Sequence, residues 1–323
     1  MRFYSDSGLQ QMKAYVGRPL STACPSLLWL DLTSDCNLRC VMCRPSPGPR
    51  GRVMDVALFR QIVDETCHAV LDYTLHNDGE SLLLKDFPDR LAYVHDRKLP
   101  QAKLDLYTNG MLLCEETCRV LVDHQVTVTV SFDGACAETF EGIRRGSNFI
   151  RICRNVETLA GKSKRNGPTA VGLYVAVQDA NWRELPTIVK LGSSLGAGRI
   201  GFGLVGGRFL PPMGRPFATT LAEAANLAEE LGMFVDSYPT RIGDLVWMKD
   251  GYVPADNYLI DTGCDAAGFC ASVFWDGEVQ PCCRAPQALG SLKQQRLLEI
   301  WRGNTFEDFR RRVNDPEHMP EKC

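Results

Sequence analysis

Six short runs of apolar and β-branched residues, SLLWLDLT, VLDYTLHN, AKLDLYTN, VTVTVSFD, AVGLYVAV and RIGFGLV, recur between Ser26 and Val205. Between them lie longer amphipathic stretches, MDVALFRQIVDETCHAV, FPDRLAYVHDRK, CEETCRVLVDHQ, FIRICRNVETLAGKSK and NWRELPTIVKLGSSLG. Strand-like runs alternating with helical ones predict parallel strands joined by crossover helices, the signature of an α/β fold. Six such units fit a partial (β/α)6 barrel of the TIM type over residues 25–218 better than a closed eight-stranded one. Barrels of this kind place their chemistry on the loops that follow the strands. Here those loops read SDCNLRCVMC, HNDGES, YTNG, SFDGA, VQDANW and VGGRF, all polar or glycine-bearing.

The flanks divide by composition. Residues 1–24 read as an N-terminal extension, and the glycine- and proline-dense VGGRFLPPMGRPFA at 205–218 ends the barrel. A linker helix, LAEAANLAEELGM, and an irregular connection fill 219–257. From 258 to 323 the chain turns cysteine-rich: ASVFWDGEVQPCC reads as a hairpin turning at Asp276-Gly277, and RLLEIWRGNTFEDFRRRV as one or two amphipathic helices.

A formal net charge of −3 gives no electrostatic case for nucleic acid or an anionic membrane. No run reaches the roughly 18 apolar residues of a membrane helix, and the N-terminus lacks a signal-peptide centre, so the expected location is cytoplasmic. Fourteen cysteines in that reducing setting read first as metal ligands, not disulfides.

Three of them, Cys36, Cys40 and Cys43, share the loop after the first strand. Structural zinc prefers paired C-x-x-C ligands that close a tetrahedron, and no second pair lies nearby. An iron–sulfur cluster suits three thiolates from one loop, with one iron left without a protein ligand.

At these residues the sequence resembles the radical S-adenosylmethionine (radical SAM) superfamily, whose C-x-x-x-C-x-x-C motif follows the first strand of a partial barrel. The resemblance implies a [4Fe–4S] cluster on Cys36, Cys40 and Cys43, with S-adenosylmethionine on the open iron. It further implies cofactor contacts from Met42 to the adenine, and from Gly79 and Glu80 in a departed form of the family's G-G-E-P loop. Asn109 belongs to the recurrent T-N-G, Ser131 aligns with a ribose contact, and Arg144 with an arginine that pairs the methionyl carboxylate. Backbone around Gly201 and Gly203 is placed to edge the adenine, though glycine in a strand is as often close packing.

The C-terminal group, Cys264, Cys270, Cys282, Cys283 and Cys323, resembles the auxiliary-cluster region of SPASM and twitch extensions. Five cysteines are fewer than a full two-cluster SPASM pattern holds, so a single auxiliary [4Fe–4S] cluster of the twitch type is expected. Zinc on four thiolates is the alternative.

The resemblance implies reductive cleavage of S-adenosylmethionine to a 5′-deoxyadenosyl radical and hydrogen abstraction from a substrate carbon. Dehydrogenation, epimerisation and elimination or decarboxylation are the open outcomes. Cys136, and whichever of Cys282 and Cys283 is not a ligand, are candidate hydrogen donors. His76, Asn77, Asp78 and Tyr107 lie on the rim, within expected reach of substrate. Cys67, Cys114, Cys118 and Cys153 fall in helical sequence, where a buried thiol acts as a small apolar residue. About 25 residues precede the first strand, too few for the leader-binding domain of many peptide-modifying relatives. A small polar substrate such as an amino sugar, aminocyclitol or nucleoside is therefore expected, with an electron donor such as flavodoxin or ferredoxin. The alternatives are a peptide-modifying enzyme and, in another class, a non-catalytic metal-cluster scaffold.

Overall fold

The computed structural model describes residues 23–43, 51–167, 170–237, 241–242, 245–248, 251–254, 266–283, 285, 287–313, 315 and 317–318. Two compact units divide the described residues, one drawing on 23–36, 51–107 and 266–318, the other on 37–43 and 108–254.

The first unit begins with β1 (Leu27–Leu30), α1 (Val56–Thr66), β2 (Asp72–Thr74), α2 (Phe87–Arg97) and β3 (Lys103–Thr108). The three strands are parallel neighbours, with Trp29 level with Thr74 and Thr74 level with Asp105. That register separates two faces by simple alternation. Leu28, Leu30, Tyr73, Leu75, Leu104 and Leu106 occupy one and are fully buried. Trp29, His76 and Tyr107 occupy the other and are half-buried. Asp55 caps α1 by accepting from the Ala57 and Leu58 amides, and a proline in its first turn starts α2.

In the second unit run α3 (Glu115–Asp123), β4 (Thr127–Ser131), α4 (Ala137–Ile143), α5 (Phe149–Ser163) and β5 (Val171–Val177). They continue with α6 (Leu185–Ser194), β6 (Arg199–Leu204), α7 (Arg215–Glu230) and β7 (Phe234–Ser237). The strand order is β4-β5-β6-β7, all parallel. A small antiparallel sheet follows from β8 (Arg241–Ile242), β9 (Leu245–Met248) and β10 (Gly251–Pro254).

The C-terminal residues return to the first unit as α8 (Ala266–Phe269), β11 (Cys270–Val273), β12 (Glu278–Gln280), β13 (Gly290–Ser291), α9 (Leu297–Arg302) and α10 (Asn304–Arg312). There the strand order is β13-β12-β11-β1-β2-β3, with β11 parallel to β1. The Asp276-Gly277 hairpin is present, with Gly277 at φ +85° where a side chain would be strained.

All six expected strands and all five expected crossover helices form, and the fold is mixed α/β with parallel strands. Three features differ from the sequence reading. Residues 219–257, expected as linker, contain β7 beside β6 and the small antiparallel sheet. Four-residue strands are too short to register as periodicity. Helix α7 starts at Arg215, inside the stretch expected to end the barrel, because Pro216 occupies its first turn, where no amide partner is needed. Helix α4, hidden in a polar loop, was not anticipated.

Two glycines test the packing. A Cβ at Gly161, within α5, meets no atom within 4 Å, so Gly161→Ala is expected to raise unfolding free energy by about 0.5–1 kcal/mol. A Cβ at Gly192, in α6, would lie 2.5 Å from Leu173 Cδ1, so Gly192→Ala is expected to destabilise. Denaturant unfolding of both variants checks the opposite signs.

Candidate functional site

The cysteine loop is shaped by its own first residues. Thr33 Oγ1 accepts from the Asp35 amide at 3.1 Å, and Asp35 Oδ1 accepts from the Cys36 amide at 3.0 Å, turning the chain out of β1. Further on, the Arg39 and Val41 amides donate to the Arg145 and Ile143 carbonyls, each at 2.9 Å, and the Cys43 amide closes a turn onto the Cys40 carbonyl at 3.2 Å. Leu38 is buried beneath. The end of α4 and the residue pair after it thus hold the loop by its backbone. Cys36 and Cys40 are half-buried and Cys43 is exposed.

Arg144 is the central side chain of this unit. Its Nη1 lies 3.8 Å from Cys40 Sγ, and its Nε lies 2.8 Å from Asp133 Oδ2. Asp133 is wholly buried and also accepts from the Ala176 amide at 2.7 Å. Burial opposes the guanidinium's charge, yet the attraction of Asp133 and of Cys40 and Cys43 leaves its pKa above the ordinary value. Burial also pushes the Asp133 carboxyl up, against the pull of Arg144. A fixed cation beside Cys40 favours the thiolate form that metal ligation requires. Three thiols on one loop, one touching a buried cation, therefore fit the donor set of an iron–sulfur cluster.

Asn109 Nδ2 donates to Asn37 Oδ1 at 2.8 Å, and Asn109 Oδ1 accepts from the Met111 amide at 3.0 Å, so this residue ties the loop's start to the turn after β3. Ser131 ends β4, half-buried and level with Tyr174 on β5. Met42 is half-buried on the loop. Gly201 and Gly203 have an intramolecular reason to be glycine. A Cβ at Gly203 would meet the Tyr174 hydroxyl at 1.7 Å, and one at Gly201 would meet Asp236 Oδ1 at 2.2 Å. Arg199, on β6, pairs with Asp236 at 2.6 Å.

The first unit holds the other cofactor candidates. A Cβ at Gly79 would sit 1.9 Å from the Thr33 carbonyl oxygen, so glycine is needed there to let the two loops meet. The Glu80 amide donates to the Asp35 carbonyl at 2.8 Å, while its buried carboxylate accepts from the Leu82 amide at 3.4 Å and caps the short turn that follows. Beside them stands Asp31, which the sequence reading passed over. It is buried at the end of β1, its Oδ1 accepts from the Asp78 amide at 3.1 Å, and its Oδ2 has no hydrogen-bond partner among the described residues. Burial, reinforced by Asp78 and Asp276, pushes its pKa from 3.8 to about 7. Nearby on the same face His76 stacks on Tyr107, with centroids 6.2 Å apart, and Tyr107 lies 5.8 Å from Trp29. Burial holds the His76 imidazole neutral at pH 7, its pKa lowered to about 4.

Among the C-terminal cysteines, Cys270 is buried at the start of β11, and Cys282 and Cys283 are half-buried just after β12. Cys264 and Cys323 lie outside the described residues. Cys136 is exposed at the N-terminus of α4, its Sγ 3.5 Å from Thr139 Oγ1. Of the four cysteines expected in cores, Cys118 is buried and Cys67 and Cys153 half-buried. Cys114 is exposed at the α3 N-terminus, 3.2 Å from Thr117 Oγ1, which corrects that expectation: its place before the first turn lies off the helix's apolar face.

Comparison with known proteins adds the following. Residues 30–192 match the model of the radical SAM superfamily, and residues 264–323 match SPASM, an iron–sulfur cluster-binding domain. The AdoMet-dependent heme synthase of Methanosarcina barkeri is 29% identical over 94% of this chain and 88% of its own length. The mycofactocin maturase MftC of Mycobacterium tuberculosis is 29% identical over 54% of this chain and 43% of its own. In fold, SuiB of Streptococcus suis bound to S-adenosylmethionine covers 96% of this chain and 75% of its own, with a TM-score of 0.68 at 14% identity. BtrN in complex with AdoMet and 2-DOIA covers 90% and 88%, with a TM-score of 0.53 at 18% identity.

The environments of Asp133 and Asp31 predict two outcomes. Asp133→Ala leaves the Arg144 charge buried without its partner and is expected to cost about 3 kcal/mol or more in denaturant unfolding. The folded-state pKa of Asp31 is raised, so its contribution to stability is present below about pH 4 and is lost as pH climbs to about 7. Asp31→Asn is expected to match the parent at pH 4 and to exceed it by about 2–4 kcal/mol at pH 8. A difference independent of pH would refute that reading.

Proposed function

This chain belongs to the radical SAM superfamily, carries a SPASM domain and so has a SAM-binding [4Fe–4S] cluster and an auxiliary iron–sulfur cluster; from that premise we propose that it abstracts hydrogen from a carbon of a small polar substrate. When bound, the cluster and S-adenosylmethionine supply a 5′-deoxyadenosyl radical as the abstracting agent. The chain's own residues then have separable tasks. Cys36, Cys40 and Cys43 would hold the cluster, with Arg144 favouring the thiolate of Cys40 across 3.8 Å. Gly79 and Glu80 would face the cofactor's methionyl end, Met42 its adenine and Ser131 its ribose, with Asn109 as a further cofactor-binding residue. Cys270 and one or both of Cys282 and Cys283, with Cys264 and Cys323, would serve the auxiliary cluster.

The observation that carries the reading is the three-thiol loop with its buried cation. The substrate class is supported by extent of match. The Methanosarcina heme synthase, whose name gives a small-molecule product, aligns along nearly the whole of both chains, whereas the mycofactocin maturases share only about half of this one. Trp29, Tyr107 and His76 suit a compact ring, because aromatic faces stack on rings and neutral His76 both donates and accepts hydrogen bonds. Peptide modification is the second reading, favoured by the maturase match and by a fold shared with SuiB, which has been captured with its precursor peptide SuiA.

Reaction outcome turns on what receives the substrate's unpaired electron. An auxiliary cluster held by Cys270 and its neighbours would supply an electron acceptor, so that a substrate losing that electron and a proton would be dehydrogenated. Hydrogen returned from a thiol such as the exposed Cys136, leaving a thiyl radical for the reductant to restore, would instead give epimerisation. Loss of a neighbouring group gives elimination or decarboxylation.

Anaerobic reconstitution tests this. The parent is expected to bind about eight irons per chain and to form 5′-deoxyadenosine with dithionite, while a Cys36→Ala, Cys40→Ala, Cys43→Ala triple variant is expected to bind about four and form none. Deuterium transfer from labelled amino sugars, but not from labelled peptides, into 5′-deoxyadenosine is the expected substrate result. A parent that binds zinc and leaves S-adenosylmethionine intact would overturn the whole reading in favour of a metal scaffold.

A further inference from the structure

The geometry points to a docking surface for an acidic one-electron carrier protein, built on the second unit around Arg39, Arg145 and Arg208; this rests on the proposed radical SAM chemistry, which needs one electron per cleavage. Arg39 and Arg145 are exposed and joined by backbone, the Arg39 amide donating to the Arg145 carbonyl at 2.9 Å. Arg39 immediately precedes the ligand candidate Cys40, and Arg145 follows the Arg144 that touches its sulfur. A cleft of about 450 Å³ opens beside the loop, lined by Val41, Ile143, Arg145, Arg208 and Phe209, with Glu138 as its one acidic lining residue. Among the described residues neither Arg145 nor Arg208 is in an ion pair, and Arg208 lies over the Phe209 ring at 4.8 Å. Leu210 and Met213, next along the chain, are exposed apolar residues. Cation and apolar surface mixed in this way is the composition of a transient protein interface, apolar at its centre and charged at its rim.

The charge is local, which is what makes it informative. The chain as a whole is net negative, at −3, yet on this unit Arg39, Arg145 and Arg208 stand exposed, with Glu138 the one acidic residue lining the cleft. A chain that is acidic overall repels an acidic carrier except where such a patch steers it. The carrier gives up one electron and is oxidised by one; the electron enters at the cysteine loop, where Cys43 is exposed on this same unit.

The test uses the full chain and a reduced acidic flavodoxin as probe. Arg145→Glu combined with Arg208→Glu is expected to weaken flavodoxin binding, measured by calorimetry on metal-free and reconstituted protein alike, by about tenfold at about 50 mM salt. The gap is expected to close in about 500 mM salt, and Arg145→Lys with Arg208→Lys is expected to bind like the parent. Iron content and dithionite-driven formation of 5′-deoxyadenosine are expected to be unchanged in Arg208→Glu alone, because among the described residues Arg208 takes no part in holding the cysteine loop. Parent protein that cleaves S-adenosylmethionine with dithionite but binds flavodoxin no better than the reversal variant, or not at all, refutes the docking surface and leaves the enzymatic reading standing. Failure of the parent with dithionite refutes that reading instead. An Arg208→Glu variant that loses dithionite-driven activity or iron shows that this arginine supports the loop and is not part of a dock.

Discussion

A buried guanidinium links the three things this protein must do at its cysteine loop. Arg144 is paired with the wholly buried Asp133 and reaches Cys40 at 3.8 Å, while the backbone on either side of it, at Ile143 and Arg145, accepts the amides of Val41 and Arg39. Backbone anchoring fixes where the loop runs, the ion pair fixes the cation, and the cation biases a neighbouring thiol towards the ligating form. Taking away Asp133 would expose all three, since a buried charge without its partner destabilises by more than the pair itself contributes.

Glycine explains the remaining tightness, and in different ways at different places. At Gly79 the missing Cβ lets the Thr33 and Asp35 carbonyls press on the loop after β2. At Gly201 and Gly203 it admits the Asp236, Ser237 and Tyr174 side chains across the sheet. Family resemblance assigns all three to the cofactor, and the packing gives each a sufficient internal cause as well. Close backbone approach and ligand approach exploit the same absent atom, so a glycine can serve both.

The face bearing Trp29, His76 and Tyr107 shows how a parallel sheet sorts chemistry. Because alternate residues point to opposite faces, leucines at 28, 30, 104 and 106 are buried on one side while rings and Asp31 line the other. Asp31 is the costliest member, a buried carboxyl whose second oxygen has no protein partner among the described residues. Such a group costs stability once ionised, because its charge is desolvated without a full set of hydrogen-bond donors.

Six strands, their crossover helices, the Asp276-Gly277 hairpin and the cysteine loop were legible in the sequence, because each depends on local periodicity, turn chemistry or ligand spacing. Helix α4, strand β7 and the small sheet at 241–254 were not, because short elements draw their stability from neighbours distant in sequence and leave little periodic trace. The same divide runs through the site. The C-x-x-x-C-x-x-C spacing of Cys36, Cys40 and Cys43 is a property of the sequence alone. That Arg144 would answer to Asp133, that Asp31 would be buried beside the Asp78 amide, and that β11 would join β1 were decided only by tertiary structure. Burial and through-space charge depend on which strands become neighbours, and no residue's local sequence records that.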